Sequence, residues 1–302
     1  MFVRELRSLL DLRIMTSNKD YFDRTLTVIT PGSALAILAA ETTLSRTRIK
    51  DAMAKGAVWC TQGKRTSRLR RANTTVSEGD RLSIHYNRAL LAQKGPDLVC
   101  HQDGGQWAVW IKPSGMPTTG SRFCDHLAMT RRVTLQTHRE TYLVHRLDQF
   151  TSGLMLMAYN RQTANQLATQ FESRRVHKAY LAVVHGRLNE AQGIDVPIDN
   201  KEAFSEAVPV EASQDFSLVR VRITTGRKHQ IRRHLATVGH PVVGDRQYGY
   251  ARPFDVSAGL QLVATELGFE CPVSGEHVSC RLPTTYHPDL DALRLLYSDH
   301  SA

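Results

Sequence analysis

The chain has 302 residues, 41% of them hydrophobic and 23% charged, a balance that fits a soluble globular protein able to bury a core. Its formal net charge of +10 favours a polyanionic partner, and no apolar run approaches the roughly 20 residues that a membrane span requires. Five cysteines (Cys60, Cys100, Cys124, Cys271 and Cys280) are scattered and odd in number, which argues against a secreted disulfide framework and for a reducing cytoplasm.

Residues 1–26, opening MFVRELRSLLDLRIM, read as a lead-in. Glu5, Asp11 and Arg13 interrupt it too often for a signal peptide, and Met15 offers a second start. LSRTRIKDAMAKG then predicts a short helix, with Ser45 as N-cap, Ile49 and Met53 four apart, and Gly56 as its stop. A strand, AVWCT, follows, then a loop, QGKRTSRLRRANTTVSEGD, and after its Glu-Gly-Asp turn a second strand, RLSIHY. Residues 27–90 therefore read as a small helix-and-hairpin module. Arg46, Arg48 and Lys50 lie on or beside its helix, and Lys64, Arg65, Arg68, Arg70 and Arg71 crowd its loop. An isolated basic run is ordinarily a solvated face. Helix and loop of one sign within one small module favour a phosphate-tracking surface instead.

Beyond a linker near 90–96, residues 97–302 mix strands and helices without strict βαβ alternation. GLMLMAY predicts a buried strand. Asn160 caps the helix RQTANQLATQFESR, whose Ala164, Leu167, Ala168 and Phe171 share one apolar face. KAYLAVVHG and FSLVRVRITTG predict further strands, and HQIRRHLATVG a helix closed by Gly239. The pattern implies an α+β domain with a mixed, mainly antiparallel sheet.

Within it, HRLDQFTSGLMLMA, residues 145–158, sets Asp148 just ahead of Thr-Ser-Gly and an apolar run. An Asp beside an Arg is most often half of a surface ion pair, worth under about 1 kcal/mol. Here the turn signal marks a place where backbone donors can hold a carboxylate, and the strand behind it anchors the turn to the core. Tyr180 and Arg232 are an aromatic and a cation beside predicted elements, but spacing alone does not bring the three together. His145, His229, His234 and His240 raise the idea of a metal site or a His-dependent hydrolase. His229 and His234 are five apart on a helix, however, which puts them on different faces, and no Gly-x-Ser-x-Gly elbow accompanies them. Structural hydrogen bonding is the better reading. Cys271, His277 and Cys280 lack the tight pairing of a metal site, so no metal is expected.

Two resemblances sharpen these readings. The stretch S-R-T-R-I, its basic helix, the following Gly and strand, and the G-D turn make residues 27–90 resemble an S4 RNA-binding domain, a small α/β module. The match departs at Trp59-Cys60-Thr61-Gln62, where that family has Val-Asn-Gly. Residues 97–285 resemble an RluA-type pseudouridine synthase. IKPSGMP is similar to the family's first motif and HRLDQFTSGLMLMA to its second. KAYLAVVHG matches the K-x-Y segment, GRKHQIRRHLATVGHPVVGDRQYG the third motif, and LGFECPVSGEHVSCRLP the closing segment, all in the family's order.

The resemblance implies that Asp148 is the catalytic carboxylate, Tyr180 the aromatic beneath the target base, and Arg232 the partner of Asp148. Arg146 resembles the residue that enters the RNA helix as the target nucleotide turns out. Lys228 and Arg233 depart from the usual Thr or Ser and the usual aliphatic, adding charge beside the site. Conversion of uridine to pseudouridine breaks C1′–N1, rotates the uracil and forms C1′–C5. The product is an isomer, so no cofactor is expected. An ionised Asp either attacks C1′ or removes the 2′ proton. Unstacking the base costs a few kcal/mol, and stacking on Tyr180 returns ~1–3 kcal/mol. The Tyr180 hydroxyl is a candidate for handling the C5 proton. The expected partner is RNA, large-subunit ribosomal RNA first and transfer RNA second, with no membrane, for a cytoplasmic monomer. Two rivals remain at this stage: a catalytically idle RNA-binding or ribosome-assembly factor, and a metal-assisted hydrolase acting on a nucleotide.

Overall fold

The computed structural model describes residues 20–250 and 252–301, so the start of the expected lead-in, with Met15, lies outside the described residues. The chain divides into two compact units, residues up to 96 with 119–131, and 97–118 with the residues from 132 onward. The stretch 119–131, read from sequence as part of 97–302, groups with the first unit.

In the first unit the elements are β1 (Tyr21–Thr27), β2 (Gly32–Ser33), α1 (Ala34–Glu41), α2 (Arg46–Ala54), β3 (Val58–Gln62), β4 (Arg65–Arg68), β5 (Thr75–Val76), β6 (Arg81–Asn87) and α3 (Arg88–Ala92). An antiparallel sheet runs in the order β1-β6-β3-β4. Burial alternates along β6, as a strand with one face in the core requires. Leu38, Ile49, Met53, Val58, Leu82 and Ile84 fill the core beneath it. α2 begins where Ser45 predicts, its hydroxyl accepting from the Arg48 N–H at 3.4 Å. Two expectations need correction. Tyr21–Thr27 pairs along its whole length with β6, so the lead-in ends before residue 21 rather than at 26. Within the expected loop, Arg65–Arg68 folds back on β3 as a hairpin, made possible by Gly63 at φ +57°.

In the second unit the elements are β7 (Val99–Asp103), β8 (Trp107–Lys112), α4 (Met129–Thr137), β9 (Tyr142–Leu143), β10 (Ser152–Ala158), α5 (Arg161–Glu172), β11 (His177–His185), β12 (Gln192–Asp195), β13 (Phe204–Ala212), β14 (Phe216–Ile223), α6 (Gln230–Thr237), α7 (Pro253–Ala258), β15 (Leu262–Glu270), β16 (His277–Arg281) and α8 (Leu290–Ser301). α4 begins at the boundary between the units. The strands make a ten-stranded sheet ordered β12-β13-β14-β11-β15-β10-β8-β7, with β16 on β15 and β9 on β10. Every strand pair is antiparallel except β10 with β15, so the sheet is mixed and mainly antiparallel, as the sequence predicts.

β10 and β11 are apolar on both faces because both faces are covered. Leu154, Leu156, Leu167 and Phe269 pack in one cluster, and Val183, Phe216, Phe254 and Leu293 in another. Asn160 caps α5 by accepting from the Thr163 N–H at 2.8 Å. The parallel contact explains the Gly of Thr-Ser-Gly. Gly153 has φ +106°, and a Cβ there would stand 2.2 Å from the Ala264 carbonyl oxygen. No helix among the described residues is long and apolar enough to cross a membrane.

Candidate active site

Asp148 sits in the turn that leads into β10, and IKPSGMPT clamps that turn from the end of β8. Each of the five carbonyls from Leu147 to Thr151 has a donor. Thr118 Oγ1 serves Leu147 at 2.6 Å, Ser114 Oγ serves Phe150 at 2.8 Å, and the Thr151 N–H serves Asp148 at 3.2 Å. Lys112 Nζ serves both Gln149 and Thr151 at 2.8 Å, and also Pro113 at 3.1 Å. Lys112 is fully buried. Burial pulls its pKa down to about 7, with the Asp148 carboxylate pulling it back up. Its three acceptors match the three N–H donors of an ammonium group.

Three expected residues meet here. Asp148, Tyr180 and Arg232 line one cavity, with Arg146, Thr151 and His229 in the same wall. Arg232 Nη1 stands 3.8 Å from Asp148 Oδ2. The close partner of Arg232 is a residue the sequence reading gave no role: Nε and Nη2 each donate to Asp245 at 2.7 Å, a bidentate pair with the carboxylate fully buried. Burial opposes ionisation of Asp245. The hydrogen bonds from Arg232 and from the N–H groups of Gln247 and Tyr248 overcome it and hold the pKa below the usual carboxylate range. Asp245 thereby fixes the guanidinium that faces Asp148.

His229 closes the other side, with Nε2 3.8 Å from Asp148 Oδ1 and Nδ1 2.9 Å from Tyr248 Oη. It caps α6 at φ +55°, a left-handed conformation uncommon outside glycine. Burial lowers its pKa and Asp148 only partly restores it. In the neutral ring, a Tyr248 hydroxyl donating to Nδ1 leaves the proton on Nε2, aimed at the carboxylate. Burial, then the Asp148 charge, push the Tyr180 phenol upward, so it keeps its proton. Thr151 Oγ1 is buried in this wall with no hydrogen-bond partner among the described residues.

The four histidines are all hydrogen-bonded, as expected. His145 accepts from the Leu156 N–H at 2.9 Å, His234 contacts Ser205 Oγ and the Val196 carbonyl, and His240 contacts the His185 carbonyl. His229 goes further by facing Asp148, which a reading of spacing could not reveal. No group of three or more metal-ligating side chains stands together among the described residues. Arg233, expected to add charge beside the site, is paired with Asp199 at 3.0 Å. Lys228 is exposed.

The basic residues of the first unit separate into two sets. Arg46, Arg48, Lys50, Lys64, Arg65 and Arg71 are exposed and make no ion pair among the described residues. Arg68 and Arg70, expected in the same RNA-tracking surface, are built into the unit instead. Arg68 donates to the Gly56 and Ser121 carbonyls and lies 4.2 Å over the Trp59 ring. Arg70 donates to the Ala54 carbonyl, and both pair with Asp125.

The missed residues had a sequence signal. Lys112 lies in IKPSGMP and Asp245 in GHPVVGD, segments whose likeness to family motifs was plain while their partners were not. The model of the RNA pseudouridylate synthase family matches residues 106–237, which span Lys112, Asp148, Tyr180 and Arg232. The uncharacterized RNA pseudouridine synthase YlyB of Bacillus subtilis is 33% identical over 244 residues, covering 70% of this chain and 78% of that protein. The dual-specificity RNA pseudouridine synthase RluA of Vibrio parahaemolyticus is 32% identical over 209 residues, 62% of this chain and 84% of the relative. The tRNA pseudouridine synthase C of Pasteurella multocida is 35% identical over 203 residues, 56% and 84% respectively. Among solved structures, human RNA pseudouridylate synthase domain containing 1 superposes with a TM-score of 0.55 at 25% identity, covering 70% of this chain and 98% of its own. Motif order, fold and similarity along most of these relatives agree: the chain belongs to the RluA-type family of RNA pseudouridine synthases, isomerases that act on uridine in RNA.

Proposed function

We propose that Asp148 is the catalytic carboxylate of this synthase and that its substrate is a uridine of large-subunit ribosomal RNA. The observation that carries the first part is the shared cavity: Asp148 opens into it beside Tyr180, with Arg232 and His229 each 3.8 Å from one carboxylate oxygen. Attack at C1′ and removal of the 2′ proton both need the anion, and the two flanking groups stabilise and aim it. Tyr180 takes the turned-out base on its ring, and its retained proton makes it a hydrogen-bond donor there. Arg146, exposed at the mouth of the cavity, fills the gap the base leaves.

The ribosomal assignment rests on the S4-like reading of residues 27–90, whose six exposed unpaired cations supply affinity and register while the second unit selects the base. Five free thiols suit a cytoplasmic enzyme. Transfer RNA is the second reading, favoured by the likeness to the tRNA pseudouridine synthase of Pasteurella multocida. Mapping pseudouridines in total RNA from cells with and without the protein decides between them. Loss of one or more large-subunit positions, restored by the wild type and not by Asp148→Asn, is the expected result. Loss confined to transfer RNA would overturn the ribosomal assignment.

A further inference from the structure

Beside the Asp148 cavity lies a second one, which shares Arg146, Tyr180 and Arg227 with the first. Its lining also holds Phe171, Arg174 and Lys178, and one acidic residue, the exposed Glu172. Four cations against one exposed carboxylate make a compartment built for an anion.

Lys178 states this most directly. Its Nζ lies 5.8 Å from the centre of the Phe171 ring and makes no hydrogen bond or ion pair among the described residues. Burial lowers its pKa, and no carboxylate pulls it back. A half-buried ammonium with no protein counter-ion is costly unless something else brings the negative charge. Arg174 adds a second sign. It follows the last turn of α5 at φ +58°, the left-handed position that glycine normally fills after a helix. An arginine stands there instead, with its side chain on the compartment wall. Its ion pair with Glu202, at 3.7 Å, is an exposed surface contact.

We propose that this compartment is a phosphate subsite, in which Lys178, Arg174 and Arg227 hold the backbone phosphate of a nucleotide adjoining the target uridine. The inference rests on the synthase reading, because only a uridine placed at Asp148 puts a neighbouring phosphate in the adjacent compartment. A polynucleotide turned out at one position must lead its chain away from the site, and the shared wall of Arg146, Tyr180 and Arg227 is where the two cavities meet. Such a contact strengthens binding, carries no sequence information, and is released by salt.

The test uses the full chain and RNA tritiated at uridine C5, taken from cells that lack the protein. The quantity read is kcat/KM for tritium release as a function of salt concentration. Lys178→Met should lower kcat/KM about tenfold near physiological salt, leave kcat within about twofold, and make the log–log salt slope shallower by about 0.7, one phosphate contact on a single strand. Lys178→Arg should restore all three. Arg187→Met, beyond the opposite end of β11, should match the wild type. Arg174→Gly guards against misfolding, since glycine suits φ +58°. It should keep or raise the melting temperature while making the slope shallower by a similar amount. A wild-type slope in both Lys178→Met and Arg174→Gly, or a fall in kcat with the slope unchanged, overturns the subsite. If the wild type itself releases no tritium, the synthase reading fails separately, and filter binding of the same RNA still reads the slope.

Discussion

Arg232 commits Nε and Nη2 to Asp245 and leaves Nη1 to face Asp148, so one buried carboxylate orients the cation that serves another. Breaking a buried charge pair by removing one partner costs about 3–5 kcal/mol, whereas replacing both with apolar groups is often close to neutral. Asp245→Leu should therefore lower stability by about 3 kcal/mol or more in urea unfolding. Adding Arg232→Met should recover most of that loss but none of the activity, a coupling that a double-mutant cycle reads. Had the two changes been additive, the pair would not be the orienting element. His145 offers a second check. Burial, then the Lys178 charge, lower its pKa from 6.5 to about 3, which keeps the ring neutral to accept from the Leu156 N–H. The folded state thus binds fewer protons than the unfolded state between those values. The stability this provides is complete above about pH 6.5 and is lost as the pH falls toward 3. His145→Gln keeps an acceptor that does not titrate, so its unfolding free energy should fall less than that of the wild type between pH 7 and 4.5. At this scale the chemistry-bearing residues were legible because they sit in motifs, while their partners were not. Asp245 lies 97 positions beyond Asp148, and only the fold shows that they share a guanidinium.

At the scale of elements, the turn holding Asp148 is rigid because a separate segment secures it. β8 ends in Lys112, which donates to the Gln149 and Thr151 carbonyls, and beyond it Ser114 and Thr118 donate to those of Phe150 and Leu147. Lys112→Met fills the same space but leaves three carbonyls without their donor, of which the buried Thr151 one costs about 1–3 kcal/mol. We expect Lys112→Met to lower kcat at least tenfold through a mobile Asp148, with KM for RNA little changed. A rise in KM with kcat intact would instead make the clamp part of RNA binding. Helices and strands with their own signals were readable: the Ser45 and Asn160 caps, the apolar run of β10, the alternation of β6. The hairpin strand Arg65–Arg68 and the strand Tyr21–Thr27 were not, because their pairing partners, not their own polar sequences, make them strands.

Across the whole molecule, the cations behind the net charge of +10 divide between those used for folding and those left exposed. Composition cannot tell the two kinds apart. Arg68 and Arg70 look the same in sequence as Arg65 and Arg71, yet Asp125 and backbone carbonyls take up the first two. Replacing Arg46, Arg48 and Lys50 together with Gln should weaken RNA binding several-fold and make its salt dependence shallower, while kcat at saturating RNA stays unchanged. Loss of kcat in that variant would mean that the first unit does more than bind. The central claim, that Asp148 drives the isomerisation, is tested by tritium release from RNA labelled at uridine C5 in cells lacking the protein. The account predicts release by the wild type and none above background by Asp148→Asn, with RNA affinity retained. Release by both would keep the isomerase and remove Asp148 from its role, contradicting the account at its centre.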